Sequence, residues 1–512
     1  MMDLFQMLLQ TTQRNPDQTA LIFRDNPISY GQLLSAVSGV AKGLRELGVE
    51  KGDRVGIFLP NLPQFVMAYY GCQALGAIAV PANPLLKPDE LRYIYNDAGA
   101  KAAVTIPPLA DVLRAVQEQT PSLKHLLIAG GEMPGFVPFD ALWQQPAPVP
   151  TPPEMNPREH PAVFLYTSGT TGFPKGCMLS HRNLIANCES CTPVLDMSPS
   201  DNFVTVLPLF HAFAATVCMH LSIHVGCAST LLERFTPDGV LEAIEKHRCT
   251  IFPAVPTMYA AILHFPLPRE YDLSSLRICV SGGAPMPVAV MEAFEKRFNV
   301  VILEGDGPTE CSPVTAVNPL KGVRKPGSIG LPIPGVEMKI FDDNDNEVPV
   351  GELGEIVVRG ENVMLGYYNL PEATAEAMRS GWYHTGDIGK MDEDGYFYIV
   401  DRKKDMIIVG GLNVYPREVE EVLHTHPAIA EAAVIGEYDE LRGESPVAYV
   451  VLKPGAQATE REIIRYCRQR LANFKVPRRV EFRESLPKSG TGKILKRLLR
   501  KEVEQEQGAG AG

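Results

Sequence analysis

Eleven residues, Tyr166-Thr167-Ser168-Gly169-Thr170-Thr171-Gly172-Phe173-Pro174-Lys175-Gly176, constrain the architecture of this chain more than any other stretch. They hold four Ser/Thr hydroxyls, three glycines and a lysine. Glycines let successive backbone N–H groups converge on an anion, and hydroxyls add donors beside them. Such a loop suits a polyphosphate. The apolar run Ala162-Val163-Phe164-Leu165 predicts a buried strand before it, so the loop leaves a sheet edge as phosphate loops do. No Gly-Lys-Ser/Thr ends it, which separates it from the common P-loop. A plain surface loop is the competing reading.

A chain of 512 residues is long enough for a large core and for more than one domain. Its 45% hydrophobic and 21% charged residues are ordinary for a globular fold. The net charge of −12 works against nonspecific nucleic-acid binding, yet it is unevenly placed. From residue 403 onward 19 Lys and Arg stand against 16 Asp and Glu, a balance of +3, leaving −15 on the part before. Residues 461–501 carry 14 basic and 3 acidic residues, either a solvated helix face or a contact for a phosphorylated ligand. The ten cysteines are scattered, and Cys72, Cys218 and Cys279 sit in apolar segments, the pattern of reduced, buried thiols in a cytosolic protein. Cys188-Glu189-Ser190-Cys191 has no second pair in register, so zinc is not expected there. The N-terminus lacks the basic and apolar regions of a signal peptide. The uncharged runs 65–81 and 202–232 are broken by glutamine, proline or histidine, which predicts buried core rather than membrane spans.

Through the first 400 residues strand-like and helix-like patterns alternate, with strands predicted at 54–59 and 102–106 and helices at 64–75 and 89–97. Such alternation predicts an α/β fold of layered sheets. The proline-rich stretch 134–161 predicts an exposed connection. From Lys339 short strands with Asp/Gly turns begin, as at Phe341-Asp342-Asp343-Asn344-Asp345, and predict a small β-rich subdomain. After Asp401-Arg402-Lys403-Lys404-Asp405 another compact unit starts. The expected division is a large N-terminal domain over 1–401, with its β-rich subdomain at 335–401, a small α+β C-terminal domain over 402–504, and a disordered tail at 505–512.

Further short motifs follow the loop in order. They are Pro208-Leu209-Phe210-His211-Ala212-Phe213, Ser281-Gly282-Gly283-Ala284-Pro285, Glu304-Gly305-Asp306-Gly307-Pro308-Thr309-Glu310, Gly381-Trp382-Tyr383-His384-Thr385-Gly386-Asp387, Asp401-Arg402 and Pro487-Lys488-Ser489-Gly490-Thr491-Gly492-Lys493. Each alone has a plainer reading: His211 as a core histidine, 281–285 as a strand-to-helix turn, 403–405 as a charged turn. Together, over roughly 19–499, they resemble the adenylate-forming superfamily of acyl-CoA synthetases, peptide-synthetase adenylation domains and luciferases.

That resemblance implies roles. Thr167, Ser168, Gly169, Thr170, Thr171, Gly172 and Lys175 would hold the β- and γ-phosphates of ATP. Gly283, Ala284 and Pro285 would seat adenine, with Asp306 and Gly307 beside it, and Asp387 and Arg402 would take the ribose hydroxyls. Thr309 would contact the α-phosphate, while Glu310, with Thr170, would hold Mg²⁺. His211 would line the carboxylate pocket, and Lys493 would bridge carboxylate and α-phosphate. Lys404 would be the hinge of a swinging C-terminal domain, and Gly410 and Gly411 would border the coenzyme A path. The family usually has an aromatic residue at position 306, whose stacking contributes roughly 1–3 kcal/mol per base. Aspartate there either weakens ATP binding or accepts a hydrogen bond from the adenine amino group.

Candidates for the acyl pocket are Phe213, Ala214, Val217, Val255 and Met258, apolar residues that suit an alkyl chain better than an amino acid. The string 401–408 followed by Leu412-Asn413-Val414-Tyr415-Pro416 most resembles bacterial medium- and long-chain fatty-acyl-CoA ligases. The implied reaction is ATP-dependent activation of a fatty acid to acyl-adenylate and then acyl-CoA, with Mg²⁺ as cofactor and coenzyme A as co-substrate. An aromatic acid, a carrier-protein acceptor, or a non-catalytic acyl-binding protein stay open as alternatives. The implied partners are small molecules rather than nucleic acid, for a cytoplasmic monomer or homodimer with peripheral membrane contact allowed.

Overall fold

The computed structural model describes residues 2–167, 173–403, 405–439, 442–490 and 492–509, without the side chains of 504 and 506–509. Among the described residues four sheets form. An eight-stranded sheet has the order Gly366–Tyr367, Lys175–Ser180, Pro161–Thr167, Ile78–Pro81, Arg54–Ile57, Ala100–Thr105, His125–Ile128, Val137–Pro138. A nine-stranded sheet runs from Leu331–Pro332 through Ala316–Val317, Val301–Asp306, Ile278–Ser281, Ile251–Ala254, Asn202–Thr205, Ala228–Leu231 and Thr19–Phe23 to Asn26–Ser29. Most of their pairings are parallel, so the connecting helices cover the faces and the strands are largely buried, with a mainly apolar make-up. The α/β expectation holds.

The helix Pro63–Leu75 is packed between layers with every side chain but Gln64 buried, and 212–225 is buried almost throughout. Both uncharged runs are therefore core, and no helix among the described residues is long and apolar enough to cross a membrane. All ten cysteines are buried and unbridged. The predicted strands and helices near 54, 64, 89 and 102 appear as Arg54–Ile57, Pro63–Leu75, Pro88–Ala98 and Ala100–Thr105.

A four-stranded antiparallel sheet, Val336–Phe341, Gly354–Gly360, Tyr383–Met391 and Phe397–Arg402, forms the β-rich unit. Its long excursion between the second and third strands returns to the large domain, where Gly366–Tyr367 pairs with Lys175–Ser180. Beyond it, Leu412–Val414, Ile407–Val409, Gly443–Leu452, Ile429–Asp439 and Arg479–Phe482 make a five-stranded sheet. The helices Pro416–His424 and Glu460–Arg468 pack on one face of it and Lys496–Ala509 on the other.

Two expectations need correction. The stretch 134–161 is not wholly an exposed connection: Phe139–Trp143 is helical, and Phe139 is fully buried. That helix lies on Tyr30–Glu46, where a Cβ on Gly43 would come within 2.6 Å of Leu142. The last helix, Lys496–Ala509, runs on into the segment expected to be a disordered tail. Leu499 and Val503, one turn apart, are buried against Ile435 and Tyr449, and the following Glu and Gln residues are good helix formers.

Candidate active site

Three parallel strands, Ile251–Ala254, Ile278–Ser281 and Val301–Asp306, end side by side. Their carboxyl ends carry Val255, Gly282–Gly283 and Asp306–Glu310. Crevices at such strand ends are where open α/β sheets bind ligands. Of the segment expected to hold phosphates, Thr167 and Lys175 stand opposite each other on adjoining antiparallel strands. Ser168, Gly169, Thr170, Thr171 and Gly172 lie outside the described residues, as does Lys404.

The turn after Ile278–Ser281 suits a planar ring. Gly283 has a φ of 76°, and a Cβ on Gly282 would meet the Phe213 ring at 3.3 Å and the Gly305 carbonyl at 3.6 Å. Ala284 and Pro285 continue this turn, which is fixed from below by Met286 N donating to Glu304 Oε1 at 2.9 Å. Asp306 is the last residue of its strand, and its carbonyl accepts from Thr315 N and Oγ1 at 2.9 and 3.1 Å. Burial and the neighbouring Asp387 carboxylate push Asp306 above the usual carboxylate range, against the pull of Arg402 and Lys493.

Asp387 and Arg402 are cross-strand partners, joined by a 2.6 Å contact between Arg402 Nε and Asp387 Oδ1. Asp387 is 5% exposed, and burial raises its carboxyl although Arg402 and Lys493 oppose the shift. A buried carboxylate beside a guanidinium is a ready acceptor for vicinal hydroxyls.

Thr309 and Glu310 open a short helical turn directly after Gly307 and Pro308. Tyr367 OH donates to Glu310 Oε1 at 2.9 Å, and Thr167 Oγ1 reaches the same oxygen at 3.5 Å. Among the described residues Oε2 of Glu310 makes no hydrogen bond, so one carboxylate oxygen stays available. A hard anionic oxygen beside threonine hydroxyls is the donor set Mg²⁺ prefers, and the residues fit that ion.

A segment of the small domain reaches the same crevice, with Gly492 against Thr257 and Val255. Residues 488–490 and 492–494 form the two arms of a hairpin, with a bridge between Lys488 and Ile494 and Ser489 N donating to the Lys493 carbonyl at 2.7 Å. The hairpin rests on the large domain, where Thr257 Oγ1 donates to the Gly492 carbonyl at 3.5 Å. Lys493 is thereby brought into the field of His211, Asp306 and Asp387. Burial, helped by Lys493, pushes the His211 imidazole down to about 4, so it is neutral near pH 7. Its Nδ1 accepts from Phe213 N at 3.3 Å, which leaves the ring proton on Nε2 as a donor.

Of the acyl-pocket candidates, Phe213 and Val255 border this crevice, at Gly282 and at Gly283 and Gly492 respectively. Ala214, Val217 and Met258 are buried in the same core on the helices that follow them. Gly410 and Gly411 form a hairpin tip of the small domain, at φ of 58° and 84°, with open space around both.

Three contributors were not singled out in the sequence. Tyr367 holds Glu310, Glu304 holds the 282–286 turn, and Arg417 of the small domain approaches Glu304 at 4.0 Å. The Glu304 signal was present, two residues before Asp306 in the quoted motif. Tyr367 and Arg417 sit in ordinary surroundings and become visible only through contacts distant in sequence.

The AMP-binding enzyme family matches residues 8–368, and the AMP-binding enzyme C-terminal domain matches 418–493. A long-chain-fatty-acid–CoA ligase of Bacillus subtilis is 41% identical, covering 97% of this chain and 94% of that protein. A feruloyl-CoA synthase of Amycolatopsis sp. is 38% identical, covering 96% and 97%. The crystal structure of an anthranilate CoA ligase in complex with anthranoyl-AMP superposes with a TM-score of 0.91 at 32% identity, over 98% of this chain and 97% of that one. The chain belongs to the AMP-binding enzyme family.

Proposed function

We propose that this protein is an AMP-forming acid–thiol ligase that converts a medium- or long-chain fatty acid to its coenzyme A thioester. The observation that carries this reading is the hairpin of the small domain seated on the large one, with Lys493 among His211, Asp306 and Asp387. A cation delivered there meets the two anions that must react.

A carboxylate is a poor acyl donor, because oxide is its leaving group. In the first step a carboxylate oxygen attacks the α-phosphorus of ATP, and the bond to pyrophosphate breaks. Both reactants are anionic, so positioning and charge neutralisation dominate the barrier. Lys493 offsets charge at the carboxylate and α-phosphate, and Thr309 contacts that phosphate. The 167–172 loop and Lys175 hold the terminal phosphates. The neutral His211 offers its Nε2 proton to the carboxylate without adding charge. Asp387 and Arg402 fix the ribose, while Gly283, Ala284, Pro285, Asp306 and Gly307 enclose the base. Mg²⁺, held by Glu310 with Thr170, would supply charge neutralisation at the phosphate oxygens.

In the second step the thiol sulfur of coenzyme A attacks the acyl carbon, AMP leaves with the bonding electrons, and the thiol proton passes to solvent. For this we propose that the small domain turns about Lys404, withdraws Lys493 and brings Gly410 and Gly411 toward the thiol path. The large domain then corresponds to 1–401 and the turning one to 402–504. Ten unbridged thiols fit a cytoplasmic setting.

The apolar surroundings of Phe213 and Val255, together with the name of the Bacillus relative, favour a fatty acid. The feruloyl-CoA synthase relative, nearly as similar, favours an aromatic acid as the second reading. A panel of alkanoic and aromatic acids, scored for coenzyme A-dependent AMP release, separates the two. Acid-dependent pyrophosphate exchange tests the whole assignment, since a protein that exchanges with no acid is not a ligase.

A further inference from the structure

Residues 362–368 grip the Glu310 turn at three successive points. Asn362 Nδ2 donates to the Cys311 carbonyl at 2.9 Å, Met364 N to the Glu310 carbonyl at 2.7 Å, and Tyr367 OH to Glu310 Oε1 at 2.9 Å. The same segment is the edge strand beside Lys175–Ser180, through Leu365 N to the Met178 carbonyl and Tyr368 N to the Gly176 carbonyl. Across that edge Lys175 Nζ stands 5.0 Å from the centroid of the Tyr367 ring, within cation–π range. One side chain therefore touches both charged groups that flank the loop, the carboxylate with its hydroxyl and the ammonium with its ring.

We propose that Tyr367 is a positioning residue for magnesium-bound ATP, holding Glu310 by one oxygen so that the other meets the metal, and seating Lys175 for the terminal phosphates. The proposal rests on the assignment of Glu310 and Lys175 given above. A glutamate has a freely turning carboxylate, and a lysine has four rotatable bonds; both lose binding free energy to entropy unless their positions are set beforehand. The hydroxyl sets the first and the ring sets the second. A residue that only filled space would need the ring and not the hydroxyl.

The two halves separate by substitution. Calorimetric titration of the full-length protein with ATP, without acid, is run once in excess Mg²⁺ and once in EDTA. Tyr367→Phe keeps the ring, so its affinity in EDTA stays at the wild-type value while its affinity in Mg²⁺ falls roughly three- to tenfold, the worth of one hydrogen bond. Tyr367→Leu loses affinity in both. Tyr367→Phe binding as tightly as wild type in Mg²⁺, or losing equally in Mg²⁺ and EDTA, overturns the proposal. Should Tyr367→Leu not fold, the near-isosteric Phe variant decides alone. A wild-type affinity indifferent to Mg²⁺ removes the Glu310 assignment and this proposal with it, which distinguishes that failure from a failure of Tyr367.

Discussion

Arg417 Nη2 of the small domain stands 4.0 Å from Glu304 Oε1 of the large one, and this carboxylate is 2% exposed. Burial raises Glu304 from its ordinary 4.5 to about 7, with Arg417 pulling the other way. A raised carboxyl helps the native state when protonated. That help is complete below the unfolded value, and it drains away as pH rises through the native one. Glu304→Gln removes the titration. The melting temperature of the variant minus that of wild type should climb between pH 5 and pH 8, by the equivalent of about 2 kcal/mol. Parallel melting curves across that range would show that Glu304 ionises without penalty.

Lys493 is carried by a hairpin rather than by the large-domain strands, so its removal should affect one half-reaction and spare the other. Lys493→Ala should lower acid-dependent pyrophosphate exchange roughly 10²- to 10³-fold, as loss of one charge-stabilising donor does. Thioester formation from supplied acyl-adenylate should persist. A matching collapse of the second step would mean that Lys493 serves both.

Asp306 shares its surroundings with Asp387, Arg402 and Lys493, and its carboxyl is raised chiefly by burial and then by Asp387. ATP brings further negative charge to the same place, which favours the protonated acid. Binding should therefore take up a proton, and ATP affinity should strengthen as pH falls from about 8 to about 6. Asp306→Asn should flatten this dependence. Asp306→Tyr restores the ring usual in the family; unchanged or weaker affinity in that variant would mean that the carboxylate has a working part in nucleotide binding. Calorimetry in two buffers of different ionisation enthalpy measures the proton directly.

The sequence made the candidate nucleotide-binding residues easy to pick out because they travel in short runs at strand ends. Glycine, hydroxyl and acidic residues at 281–285, 304–310 and 381–387 are unusual neighbours, and the sheet then brings those ends together. The alternation of strands and helices made the layered fold legible in the same way. What stayed hidden acts across distance. Tyr367 meets Glu310 from 57 positions away, and nothing around it marks a tyrosine that holds a carboxylate. The helix at Phe139–Trp143 was hidden by the prolines around it, since its stability comes from packing on Tyr30–Glu46 rather than from local preference.

Gly492 tests whether docking of the hairpin, and not merely the lysine on it, drives the first step. Its φ is 83°, and a Cβ there would lie 2.9 Å from Thr257 Oγ1 and 3.4 Å from Val255 Cγ2. A β-branched residue in that conformation costs about 1–3 kcal/mol before any clash. Gly492→Val must move the hairpin, and Lys493 moves with it. Pyrophosphate exchange should fall at least tenfold, on the order of the strain, while thioester formation from acyl-adenylate continues. Thr257→Ala added to Gly492→Ala relieves the contact but not the backbone strain, so it should recover exchange in part. Equal loss of both half-reactions in Gly492→Val would place the glycine in the folding of the small domain instead of its docking.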